Sequence, residues 1–253
     1  MSVLGRSLAA IAFLFAVLVG PLAGPAAAQI PDKFENLKVL PKDISKRDLV
    51  ATMRAFSGAL GVRCKHCHVP GKDPNSLDGY DFASDEPKHK NIARAMLKMV
   101  TEINENQIAK AGIESPSRVR CVTCHRGLEK PETLDNVMMA AVEKEGAAKA
   151  EEKYRMLRTD YYGSGSYDFR PQTLQQVAER IASDPKKVDS AISMLKLNLE
   201  FAPEDAQSHV MLGQMYGMKG DRAAAIASFE RAVELEPDNA WVKQQLEKAR
   251  SAK

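Results

Sequence analysis

The four cysteines of this sequence fall in two like patterns, Cys64-Lys65-His66-Cys67-His68 and Cys121-Val122-Thr123-Cys124-His125. Two residues between the thiols let one short turn present both sulfurs to a single partner, and the histidine that follows can turn its imidazole onto the same partner. This is the C-x-x-C-H arrangement by which a porphyrin is attached through its two vinyl groups while the histidine ligates its iron. A structural zinc site could use the same two cysteine pairs but gives no reason for a histidine directly after each. A thioredoxin-like redox pair needs a βαβ context that is missing here, and simple disulfides, which suit an exported chain, use neither histidine. The expectation is two covalently bound haem c groups, attached at Cys64, Cys67, Cys121 and Cys124, with His68 and His125 on the irons.

One histidine per haem leaves a sixth iron position, for which Met53, Met96, Met99, His66 and His89 are candidates. A thioether in that position raises the reduction potential relative to a second histidine. The elements that must position these groups show in the apolar spacing. Ser45 with Asp48 three residues later resembles a helix start, and Leu49, Met53, Phe56 and Leu60 follow at helical spacing. Ile92, Met96, Met99 and Ile103 repeat that spacing 43 residues on. In this register Met96 matches Met53, whereas Met99 matches Phe56 and reads as packing, so Met96 is preferred and Met99 is the alternative. His66 lies inside an attachment turn with its ring expected in solvent, and His89 sits in an expected solvated cluster with Lys88 and Lys90.

The rest of the chain divides by composition. Ile30 to Lys130 holds 18 Lys and Arg against 13 Asp and Glu, while Pro131 to Lys253 holds 17 against 20. In the acidic half, Leu212, Gly213, Tyr216, Ala225, Phe229, Ala232 and Pro237 occupy tetratricopeptide positions, with His209 where Trp is usual. Ala191, Leu195 and Pro203 echo them 34 residues earlier, and a final helix is expected from Ala240 onward. At the other end Arg6, the apolar run Leu8 to Val19 and Ala26-Ala27-Ala28 read as a signal peptide, the run being short of the ~20 residues a spanning helix needs. The expected organisation is all-α: a signal peptide at 1–28, a dihaem cytochrome domain at 29–135, a partly helical connector at 136–170 and tetratricopeptide-like repeats at 171–253.

Between Leu40 and Lys130 the sequence resembles a known family. M-R-A-F-S-G-A-L-G-V-R-C-K-H-C from Met53, A-R-A-M-L-K-M from Ala93 and V-R-C-V-T-C-H-R-G from Val119 are similar to segments of the cytochrome c subunit of photosynthetic reaction centres. That family carries four haems in two pairs, each pair related by a local twofold, and three of the four take a methionine from the preceding helix. The resemblance implies Met53 with His68 on one iron and Met96 with His125 on the other. The present sequence has two attachment motifs rather than four, repeats in place of the second pair, and no lipid-attachment cysteine. It implies a periplasmic or otherwise exported electron carrier, not an enzyme, that meets redox proteins such as a membrane-bound reaction centre or a respiratory complex. The repeats would dock a protein, basic residues near the motifs would steer an acidic one, and nothing points to nucleic acid. A dihaem peroxidase and a haem-bearing repeat scaffold are the competing classes.

Overall fold

The computed structural model describes residues 30–73, 76–112 and 117–251; the expected signal peptide lies outside them. Among the described residues the secondary structure is helical, with one isolated bridge between Val69 and Asp81. No helix among them is long and apolar enough to cross a membrane.

Helix α1 (Lys46–Leu60) starts where the sequence places it. The Ser45 hydroxyl accepts the Asp48 N–H at 3.1 Å, so one of the four unpaired donors of the first turn is satisfied. The helix ends at Gly61, whose φ of 68° is the left-handed conformation glycine tolerates best. Helix α2 (Lys88–Glu102) is continued by a π-helical segment, Ile103–Gln107, and a last turn, Ile108–Lys110. The first Cys-His motif forms a single 3₁₀ turn (Cys64–His66), whereas the second forms a short α-helix, α3 (Cys121–His125). Two copies of helix, loop and motif are therefore present, with unequal loops and unequal turns.

The two copies interlock rather than follow one another in a row. Helix α1 packs against α3, and the Gly127 N–H donates to the Ala59 carbonyl at 2.8 Å. A Cβ on Gly61 would stand 2.2 Å from the Gly127 carbonyl oxygen, so this contact admits no side chain.

From Leu134 onward the packing changes character. Helices α4 (Leu134–Glu145) and α5 (Ala147–Tyr161) fold back on each other at Gly146, with a φ of 85°. Then come α6 (Pro171–Ala182), α7 (Val188–Phe201), α8 (Ala206–Lys219), α9 (Arg222–Leu235) and α10 (Ala240–Ser251). Helices α6/α7 and α8/α9 are two successive helix pairs, and α10 follows them. Leu134, Met138, Tyr154, Leu174, Met194 and Leu195 belong to one buried cluster that runs from α4 through α8. A second cluster of Val210, Ala225, Phe229, Ala232, Val242 and Leu246 holds the last three helices together.

Small residues stand where the repeat needs them: a Cβ on Gly213 would come within 2.7 Å of the Phe229 ring. Ser208 is wholly buried, and its hydroxyl accepts from Asn198 Nδ2 at 2.7 Å and Gln175 Nε2 at 3.2 Å. Gln175 Nε2 also donates to Asp205 Oδ2 at 2.6 Å. Because each of these buried polar groups is paired, the network costs little and fixes how α6, α7 and α8 register against one another.

Gly61→Ala should destabilise the chain by about 1–3 kcal/mol from the left-handed backbone alone, with a further loss from the clash against Gly127. The midpoint of chemical denaturation measures it. An unchanged midpoint would mean that the α1 to α3 contact contributes nothing.

Candidate haem sites

The second motif shows how its histidine, the candidate proximal ligand His125, is aimed. The Cys121 turn is capped by the Thr123 hydroxyl, which accepts the Arg120 N–H at 3.0 Å. Arg126 then takes a φ of 48° and turns the chain out of the helix, so that the Leu128 carbonyl lies 2.9 Å from His125 Nδ1. A carbonyl can only accept, so in the neutral ring Nδ1 carries the proton and Nε2 has the lone pair. That is the tautomer a metal-ligating histidine needs, fixed by the hydrogen bond on its other nitrogen.

Two residues from elsewhere hold this turn in place. The Asn104 amide, inside the π-helical segment, donates to the carbonyls of Val100 and Val119 at 2.9 Å each and accepts the Val119 N–H at 2.8 Å. It ties α2 to the stretch leading into Cys121. Ser166, only 3% exposed, donates its hydroxyl to the Arg126 carbonyl at 2.6 Å, so the segment after α5 reaches the residue next to His125. Neither shows in the sequence, because each acts through a partner at least fifteen positions away.

The first motif is built differently. His68 Nδ1 is buried without a hydrogen-bond partner, and the Phe82 ring meets the imidazole edge-on with centroids 5.1 Å apart. Burial pushes the His68 pKa down and Lys90 adds to this, with the Phe82 backbone pulling the other way. The neutral ring is again the form that can ligate a metal. Lys90 has a second role: its ammonium donates to the carbonyls of Phe82, Ala83 and Ser84 at 2.8, 3.0 and 2.6 Å. Its side chain is 12% exposed, so it is a loop anchor and not the solvated charge that the run of lysines suggested.

His66 also departs from expectation. Its side chain is 20% exposed and stacks on His89, with centroids 3.8 Å apart and ring planes 21° from parallel. The two candidates set aside as solvated groups therefore pair with each other.

The loop preceding α2 is fastened by Asp85. Its carboxylate accepts from Lys38 Nζ at 2.5 Å, Arg94 Nη1 at 2.6 Å and Asn36 Nδ2 at 2.9 Å. These donors, Lys38 first, hold the Asp85 pKa far below the usual carboxylate range.

The residues fit a covalently attached haem on three observations. All four cysteines are free thiols. Burial pushes the Cys67 and Cys121 thiols up, with Glu129 and Cys64 adding at Cys67 and Cys124 at Cys121, which disfavours the thiolates that would otherwise exchange into disulfides. Finally, Ile92, Met96 and Met99 form an apolar stripe on α2 that is 53%, 41% and 48% exposed, while Met53 on α1 is half-buried. An exposed apolar stripe of this kind suits a large flat apolar group. Leu49, Ala59 and Leu128 are the buried apolar residues before Leu134 among those described, so this half has little protein core of its own.

Two consequences can be measured. Lys90→Met should weaken the first site, since three carbonyls lose a charged donor. A loss of about 1–3 kcal/mol is expected in denaturation, with Lys88→Met as an unaffected control. Asp85 has a folded pKa below its unfolded one, so its contribution is complete above the usual carboxylate range and is lost as pH falls through that range toward the folded value. Asp85→Asn should therefore lower stability at neutral pH and flatten the acid limb of a stability profile. A parallel acid limb in wild type and variant would refute the assignment.

Comparison with known proteins bears on the same residues. Residues 16–191 match the family described as photosynthetic reaction centre cytochrome C subunit, and residues 206–239 match the tetratricopeptide repeat. The first match extends beyond residues 40–130, on which the resemblance was read, through α4, α5 and α6 into α7. Cytochrome c-554 of Chloroflexus aurantiacus is 34% identical over 106 residues, covering 42% of this chain and 23% of that protein. The photosynthetic reaction center cytochrome c subunit of Roseobacter denitrificans is 30% identical over 105 residues, covering 41% of this chain and 26% of that protein. The chain thus spans about a quarter of the length of these curated relatives. With more than half of its residues matched and two C-x-x-C-H turns in place, the chain belongs to the photosynthetic reaction centre cytochrome C subunit family.

Proposed function

We propose that this chain is an exported dihaem c-type cytochrome that passes single electrons between protein partners. The observation that carries the reading is the pair of C-x-x-C-H turns, each preceded by a methionine-bearing helix, with the His125 tautomer set by Leu128. The relatives named above, both cytochromes c, favour a carrier over an enzyme. Haem c, when bound, supplies the one-electron exchange between ferric and ferrous iron.

The protein's contribution is to hold, ligate and shield. Cys64 with Cys67, and Cys121 with Cys124, would form the thioether bonds of one haem each. His68 and His125 would be the proximal ligands. Met53 is proposed as the sixth ligand beside His68 and Met96 beside His125, with Met99 as the alternative to Met96. A thioether on each iron favours a higher potential than bis-histidine ligation and closes the position a peroxidase would keep open. The dihaem unit is proposed at 29–135 and the connector at 136–170. The repeats at 171–253 would dock the partner, which could be a membrane-bound reaction centre or a respiratory complex. The signal peptide at 1–28 would direct export to the periplasm, where thiols awaiting haem would otherwise oxidise.

The purified protein should carry the mass of two haems, retain its colour through acid-acetone extraction, and lose one haem in each of Cys64→Ser and Cys121→Ser. A single haem in the wild type would overturn the proposal. The Cys121→Ser protein also tests the ligand pairing. In it, Met53→Ala should abolish the thioether-to-iron absorption band and Met96→Ala should leave it intact. The reverse result would mean that the helices serve each other's irons.

A further inference from the structure

Five histidines occur in the chain, and the proposed haems use His68 and His125. His209 is engaged in the repeats, its Nε2 lying 3.1 Å from the Pro203 carbonyl. The remaining two, His66 and His89, come from segments 23 residues apart and meet in space beside a single carboxylate. His66 Nε2 lies 3.7 Å from Glu129 Oε1, and His89 Nε2 lies 3.9 Å from the same oxygen. One ligand atom from each of the three residues lies within 4.8 Å of the other two.

We propose that His66, His89 and Glu129 form a binding site for one divalent transition ion of the zinc class, separate from the haem irons. The His89 tautomer suits it. His89 Nδ1 lies 3.1 Å from the His66 carbonyl, which can only accept, so in the neutral ring Nδ1 carries the proton and the lone pair is on Nε2, on the side of Glu129. The backbone bond thus does for His89 what the Leu128 carbonyl does for His125. Two imidazoles and a carboxylate are a donor set that zinc accepts, with a fourth position left to water.

The distances are close to those required. Ligand bonds of ~2.0–2.1 Å in a tetrahedral shell put donor atoms about 3.3 Å apart, so the two gaps to Glu129 must close by roughly half an ångström and the gap between the imidazole nitrogens by as much as about 1.5 Å. The stacked rings must also open until both lone pairs converge. His89 and Glu129 can supply that movement, since their side chains are 46% and 49% exposed. The bound ion would join three segments: the turn between Cys64 and Cys67, the start of α2, and the loop after the second motif.

The inference rests on the haem reading only in setting His68 and His125 aside, and one experiment reports on both. The haem-loaded full chain is dialysed against Zn²⁺ and analysed for zinc and iron together. One zinc per chain is expected beside two irons, with a zinc K-edge absorption spectrum showing two imidazole nitrogens. His89→Asn and Glu129→Gln, which alter different segments, should each weaken zinc binding at least tenfold while iron is retained, and His209→Asn should not. No stoichiometric zinc, or zinc binding equally strong in both variants, would overturn the proposal. Fewer than two irons with zinc intact would instead count against the haem reading.

Discussion

Two glycines set the geometry on which the first half of the protein depends. Gly61 closes α1 in a left-handed turn, and Gly127 lies two residues after the second histidine; their backbones meet with no room for a Cβ on Gly61. The Gly127 N–H completes the contact by donating to Ala59. Because α1 leads directly into the first attachment turn, this junction relates the two motifs as one rigid pair. A pairing of independent units would be expected to use a side-chain interface, which tolerates small shifts. A backbone-to-backbone contact does not, and it sets the motifs at a defined separation.

The two halves are stabilised by different means. From Leu134 to Leu246 the helices bury apolar side chains in two clusters, as repeat arrays do when each unit covers its neighbour. Before Leu134 the chain is held instead by side-chain hydrogen bonds, some to loop backbone and some to other side chains. Asp85 gathers Asn36, Lys38 and Arg94, Lys90 gathers three carbonyls, and Asn104 joins α2 to the approach to Cys121. Such a framework fixes loops without filling space between helices, and it leaves the α2 stripe of Ile92, Met96 and Met99 facing outward. The arrangement is consistent with helices whose apolar faces pack on a prosthetic group.

Much of this was legible in the sequence because the signals are local. The Ser45 cap, the helical spacing of Leu49, Met53 and Phe56, and the small-residue positions at Gly213 and Ala225 each depend on near neighbours, and each was found where expected. The stretch just before α2 was not legible, since Lys90 fastens it by its carbonyls and Asp85 by its carboxylate. Lys90 and His66 read as surface groups for that reason: a lysine that caps three carbonyls and a lysine in water look alike in a sequence. Ser166 was hidden by distance, its partner lying forty residues earlier. The family relationship reached further along the chain than the residues that first suggested it, into helices whose own pattern is unremarkable as sequence.

The contact between Ser166 and Arg126 bears on how a docked partner would be presented to the second site. Domains joined by a flexible linker raise each other's effective concentration but leave the angle of approach free. Here the connector helices share a core with the repeats, and the segment that follows α5 ends its reach one residue from His125. In the proposed reading, whatever seats on the repeats is held at a set bearing to the second attachment turn, so the electron-transfer distance is defined by architecture and not averaged over a tether.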